Sequence, residues 1–151
     1  RHMDQGARDV LVMASQLLHA RHGPDAAWAL ARQVIPSLLQ GHDSCDMVTL
    51  FSLAYHARTQ LDARLLHVLL LRALADTNSP ETNLRLAALK MLGLILADGG
   101  SAAVWGDRPE TLLSQVLQRL ASLATIDPSR DIRSLAQSLE TAAFGGRVMD
   151  V

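Results

Sequence analysis

The sequence predicts an all-α protein, and three observations carry that prediction. Leucine and alanine, 28 and 22 of 151 residues, fill a third of the chain, and both favour helix. The strand formers Val, Ile, Tyr, Phe and Trp are scarce, with aromatics at 3%, which argues against a sandwich, a barrel or a parallel sheet. Apolar residues recur at helical spacing in seven successive segments. A hydrophobic content of 49% argues against intrinsic disorder, and the length suffices for one domain whose core needs no metal or disulfide staple.

The first segment, 5–21, carries Ala7, Val10, Leu11, Ala14, Leu17 and Leu18 at helical spacing and is broken by Gly23-Pro24. A second, 24–40, has the apolar face Ala27, Leu30, Ala31, Val34 and Leu38, and Pro36 is expected to bend it. Trp28 on that segment reads as packing. Gly41-His42-Asp43-Ser44 is a stop followed by a cap, and the third segment, 45–58, puts Met47, Leu50, Phe51 and Ala54 on one side. The fourth, 62–75, is apolar nearly all round at 65–71, the mark of a helix covered on most sides.

Ser79 and Pro80 suit an N-cap and a first helical residue for a fifth segment, 80–97. Beyond Leu84 its only charges are Arg85 and Lys90, so it is expected to be largely buried. Asp98-Gly99-Gly100 ends it, and a loop at 99–108 carries Trp105. Pro109 opens a sixth segment with Leu112, Leu113, Val116, Leu117, Leu120 and Leu123 inward. Asp127-Pro128 opens a seventh with Ile132, Leu135, Ala136 and Leu139 inward, and Gly145-Gly146 ends it. On this reading residues 1–3 are a cloning remnant, 4–146 one helical domain and 147–151 a fraying tail.

Charge narrows the function classes. Fourteen basic and 15 acidic residues give a net charge of −1 with no basic cluster, so no nucleic-acid partner is expected. No 18-residue apolar stretch lacks charge, so no membrane span is expected either. Cys45 is the single cysteine, which rules out an intramolecular disulfide and suits a reducing, cytoplasmic location.

The chain also repeats itself. Ser79-Pro80 is followed by Leu84-Arg85 and Ala88, and Asp127-Pro128 by Ile132-Arg133 and Ala136, in one register 48 residues apart. That period lies close to the roughly 40–47 residues of helical solenoid repeats. The pattern resembles the HEAT/armadillo class of α-solenoids over residues 24–143. In that family the second helix of a repeat opens with an Asp, four residues, an aliphatic and an Arg, and Asp127 to Ile132-Arg133 fits. Val34-Ile35-Pro36-Ser37-Leu38-Leu39 is similar to the family's proline-bent first helix, whereas its second-helix position departs from the pattern with Thr49-Leu50. The resemblance implies a short right-handed solenoid of about three hairpins plus an extra N-terminal helix, about seven helices in all.

Each candidate for chemistry is weighed against a structural reading. His19-x2-His22 and His42-x2-Cys45 have zinc-like spacing, but a helix of about 15 residues, roughly 22 Å long, separates them, so no metal is expected. Cys45 beside His42, Asp43, Asp46 and Ser44 lacks the reach of a Cys–His nucleophile pair and reads as a small filler at a helix start. Asp43, Asp62, Asp107 and Asp127 read as caps or helix-dipole partners, leaving no acid/base pair. No cofactor and no catalytic residue are expected. Arg85 and Arg133 read first as structural, reaching an acid or carbonyl in a neighbouring repeat, and second as holders of an acidic partner. Trp105 reads as folded back over the edge before it reads as a recognition residue.

The expected function is therefore a non-catalytic protein-interaction module, a scaffold or adaptor fragment. The resemblance implies that second helices line the concave side, where Tyr55, His56, Lys90, Gln137 and Glu140 join Arg85, Arg133 and Trp105 as candidate partner-binding residues. Exposed terminal helices would support a homodimer. Two alternatives stand beside it. One is a cytoskeletal or ciliary scaffold that binds tubulin or motor subunits, because tubulin-binding HEAT arrays also carry a turn tryptophan. The other is a helical-bundle enzyme that depends on metal or thiol.

Overall fold

Leucine- and alanine-rich segments separated by Gly, Pro and Asp breaks fold into eight α-helices and one 3-10 turn, with no strand among the described residues. The computed structural model describes residues 5–41, 43–98 and 102–149. The chain forms two compact units, Arg1–Asp62 and Ala63–Val151.

The first unit holds α1 (Gln5–His22), α2 (Pro24–Gln40), α3 (Ser44–His56) and the 3-10 turn Arg58–Gln60. Each of the three helices packs against the other two. Alanines at 27 and 31, one turn apart and fully buried, give α2 a thin face, continued by Ile35 and Leu38. Helix α3, which packs on α2, buries Met47, Leu50, Phe51, Leu53 and Ala54. Asp43 caps α3 by accepting from the Cys45 N–H at 2.7 Å. Helix α2 runs through Pro36, which sits on its exposed side.

The orientation of α1 departs from its apolar pattern. Val10 and Leu17 are 65% and 53% exposed, whereas Arg8 and Ser15 are buried. Arg8 decides this. Its Nε donates to Asp46 Oδ1 at 2.9 Å, and its Nη2 lies 3.7 Å from Asp43 Oδ2. A buried cation is tolerated only against a matched anion, so the helix turns to bring Arg8 inward. Gly41 leaves room for this pair, since a Cβ there would lie 2.7 Å from Asp46 Oδ2.

The second unit holds α4 (Ala63–Asp76), α5 (Thr82–Asp98), α6 (Ala102–Trp105), α7 (Pro109–Ile126) and α8 (Arg130–Met149). Helices α4 and α5 pair, as do α7 and α8, and α5 packs on α8. Short α6 touches both α4 and α7. Leu66, Leu69, Leu70 and Ala73 of α4 face a core that also takes Leu89, Met91, Leu92 and Ile95 of α5. Helix α5 is largely buried, as its sequence predicts. Helix α4 is not covered on most sides: Val68 and Leu71 are 42% and 46% exposed, because α5 and α6 contact it elsewhere.

Three further boundaries differ from the sequence reading. The loop at 99–108 contains α6. Helix α8 continues through Gly145-Gly146 to Met149, because a glycine costs a helix only about 1 kcal/mol and nothing such as proline forbids the next turn. Helices α5 and α8 begin at Thr82 and Arg130, three residues after Ser79 and Asp127, so the 48-residue register is kept. In both turns the cap side chain accepts from the N–H two residues on, Ser79 from Glu81 and Asp127 from Ser129.

Across α5 and α8 runs the counterpart of the Arg8 pair. Arg85 Nε donates to Asp127 Oδ1 at 2.9 Å and Nη2 to Oδ2 at 3.3 Å. Its Nη1 donates to the carbonyls of Ser79 and Pro80, both at 3.1 Å. Arg85 therefore serves the structural role and is not offered to a partner. Arg85→Ala leaves Asp127 buried without its cation and is expected to cost about 3–5 kcal/mol, read as a lower urea midpoint with unchanged m. Arg85→Lys, a point charge without the fork, is expected to recover only part of the loss.

Candidate functional site

Tyr55 and His56 end α3, where the last carbonyls need partners. Arg58 supplies one: its Nη1 donates to the Tyr55 carbonyl at 3.0 Å, and its guanidinium lies 4.6 Å from the Tyr55 ring centroid. Tyr55 is 45% exposed, and its ring meets the His56 ring edge-on. An exposed tyrosine held by an arginine is a rigid amphipathic contact of the kind found at interface hot spots.

His56 faces the other way. Its Nδ1 shares a 3.0 Å hydrogen bond with the fully buried hydroxyl of Ser15. Burial, helped by the nearby charges of His19 and Arg58, pushes the His56 pKa below the ordinary histidine value of 6.5. The Ser15–His56 pair resembles a nucleophile and its base in composition only. Ser15 is sealed from solvent, and the groups that act on the ring are cationic, whereas a nucleophilic pair needs access and an orienting acceptor. The pair instead ties α1 to α3.

In the second unit, Lys90 is exposed on α5, and Arg133, Glu140 and Trp105 are half-buried. Arg133 Nη1 donates to the Asp127 carbonyl at 2.6 Å, and Gln137 Nε2 to the Ala124 carbonyl at 3.1 Å, which ties α8 to α7. Trp105 ends α6, just after Val104. The Val104 carbonyl accepts from His67 Nδ1 of α4 at 2.6 Å, so Nδ1 carries the proton. The chain turns next at Gly106, whose φ of +79° suits glycine and whose absent Cβ would lie 2.9 Å from His67 Cε1.

Two features of this unit have no place in the sequence reading. Asp76 ends α4, where the helix dipole disfavours an anion. Its Oδ2 is buried without a hydrogen-bond partner, and burial, partly offset by Arg72, raises its pKa above 3.8. The second feature is a polar groove of about 580 Å³, lined by Leu74, Asn78, Gln115, Gln118, Arg119 and Ser122, with Arg119 bonded to Asn78. The spacing of 115, 118, 119 and 122 is the polar complement of the Leu112, Val116, Leu120 and Leu123 stripe, and it was the available signal.

Among the described residues no three His, Cys, Asp or Glu side chains gather into a metal-holding group. His42, paired with Cys45 in the sequence reading, lies outside the described residues, and Cys45 is exposed at the start of α3 instead of filling an apolar gap. No helix among the described residues is long and apolar enough to cross a membrane.

Two outcomes follow. An imidazole that resists protonation when folded binds fewer protons folded than unfolded, so stability is present above pH 6.5 and falls as pH drops below it. Thermal melts of the whole chain should show this loss between pH 7 and 5, and His56→Asn should flatten it. Asp76, held less readily as an anion when folded, destabilises increasingly as pH rises through its raised pKa. Asp76→Asn should therefore melt higher than wild type at pH 7, and the gain should vanish near pH 3. Comparison of the chain with family models, with curated proteins and with solved structures found no match.

Proposed function

We propose that the chain is a non-catalytic protein-interaction module, built as a short right-handed α-solenoid of the HEAT/armadillo type and belonging to a scaffold or adaptor. The carrying observation is the 48-residue recurrence of one wiring. Arg85 Nη1 donates to the Ser79 carbonyl and Arg133 Nη1 to the Asp127 carbonyl, each six residues back, in helices that begin three residues after a turn whose Ser79 or Asp127 side chain accepts from the N–H two residues on. Those two helices are the second members of successive hairpins and pack on each other, as stacked repeats require. The recurrence of an Arg–Asp pair at Arg8–Asp46 supports reading α1 as the second helix of a preceding repeat. A cytoplasmic location and a protein partner follow from this reading. Metal or thiol catalysis receives no support from Cys45, which is exposed at the start of α3.

Contact would come from exposed groups on a rigid helical frame: Tyr55 over Arg58 on the first unit and Lys90 on the second. Affinity capture from source cells, read by mass spectrometry, tests this. Wild type is expected to retain a specific protein, and Tyr55→Ala with Lys90→Glu to lose most of it while melting at the same temperature. Failure to retain any protein, or stoichiometric metal in the purified chain, overturns the module reading. Tubulin co-sedimentation separates the cytoskeletal version, whose turn tryptophan, Trp105, is half-buried here.

A further inference from the structure

Short α6 packs on both α4 and α7 near their starts, through the His67–Val104 bond and the turn into Pro109. Further along, Arg119 Nη1 of α7 donates to Asn78 Oδ1, in the turn beyond the end of α4. Around this second contact lies the polar groove of about 580 Å³. Leu74 and Asn78 form one wall, and Gln115, Gln118, Arg119 and Ser122 form the other. Both walls belong to hairpins of the second unit, so the site is complete without any further stretch of chain. Arg119 is the only charge on α7 after Glu110. It is half-buried, and no carboxylate among the described residues pairs with it. Arg8 and Arg85, buried more deeply, each hold an aspartate, whereas Arg119 holds a neutral amide. Asp76, two residues before Asn78, has one oxygen buried and answers to Arg72. With Nη1 engaged, the Nε–H and Nη2–H edge of Arg119 has no acceptor among the described residues. That edge is the one that grips a carboxylate with two parallel bonds.

We propose that this groove binds the free C-terminus of a partner's peptide chain, with Arg119 taking the terminal carboxylate. The inference rests on the interaction-module reading and names the part of the partner that is held. One guanidinium without a carboxylate matches one anionic group, and its planar edge matches two oxygens. Gln115 and Gln118 carry carboxamides, each a donor and an acceptor, Asn78 keeps its amide N–H groups, and Ser122 adds a hydroxyl. A bare anion would use only the donors, whereas backbone N–H and C=O groups use both. From Gln115 to Ser122 the α7 wall runs roughly 10 Å at the helical rise, which about three extended residues span. The charge stands at an end of that run, because Asn78 fixes the guanidinium where the α4 wall has already turned away. A chain end brings its carboxylate last in a row of amides and meets that order. An internal Asp or Glu would need the chain to continue past the turn. Leu74, half-buried, offers an apolar contact to a side chain near the end.

The test uses the whole chain, immobilised, and two pools of N-acetylated hexapeptides with the last three positions randomised. One pool ends in a free carboxylate and the other in the amide. Retained peptides are identified by mass spectrometry, and the best is titrated while the arginine Nε–H resonances are followed by 15N NMR. Free acids are expected to bind about tenfold more tightly than their amide twins, and to shift the Arg119 Nε–H resonance while Arg85 stays unmoved. Arg119→Gln is expected to abolish the preference. Equal retention of the two pools, none from either included, overturns the proposal. So does a free-acid preference that survives Arg119→Gln, which places binding elsewhere. Retention of amidated peptides selected for an internal Asp or Glu overturns it too, because the groove then takes a side chain. If the variant fails to fold, the two pools and the Arg119 resonance of wild type decide. A chain that captures a cellular partner yet shows no free-acid preference sinks the groove and leaves the module reading standing. A free-acid preference without any captured protein does the reverse.

Discussion

The second unit depends on a buried guanidinium that must meet a carboxylate. Arg85 and Asp127 are 42 residues apart, and neither is stable in the interior alone. Pairing them fixes the start of α8 against the first turn of α5. The leucine and alanine faces then have a defined register in which to pack. Apolar contact supplies most of the attraction, but leucine against leucine is permissive, and several sliding registers bury similar area. A two-point charged contact with two further carbonyl bonds is not permissive. The same device in the first unit, Arg8 with Asp46, turns α1 against its own apolar pattern.

This arrangement separates the groups that hold the frame from those that face solvent. Arg85, Gln137 and Ser15 are engaged within their unit. Tyr55 and Lys90 remain outward. Arg133 is half-buried and anchored through Nη1 on the Asp127 carbonyl. The exposed stripe of Val10, Met13 and Leu17 on α1 and the pair Val68 and Leu71 on α4 are further apolar surface.

Two helix ends carry polar groups that burial perturbs. Asp76 closes α4 with a buried, unsatisfied oxygen, and His56 closes α3 with a ring whose pKa burial lowers. Both groups make stability depend on pH, through opposite changes in proton binding. Neither is assisted by a metal-like cluster among the described residues.

Local chemistry was legible in the sequence because it acts over a few residues. Leucine and alanine content specified helix, Gly23-Pro24 broke the first one, and the capping turns at Ser79 and Asp127 placed α5 and α8 in one register. The structural preference for Arg85 was legible too, since a lone arginine in an apolar helix must find an acceptor. What the sequence could not state was which acceptor, because Asp127 becomes near only after two hairpins form. The inward face of α1, the Ser15–His56 pair and the bare face of α4 were hidden for the same reason. Helix α6 was missed because four residues cannot nucleate a helix alone, and the structure supports it through the bond from His67 to Val104 and the tight turn at Gly106. Sequence by itself determined the helices and their punctuation. Tertiary structure alone decided which side of each helix is inside, since that choice depends on charges and contacts some 40 residues distant.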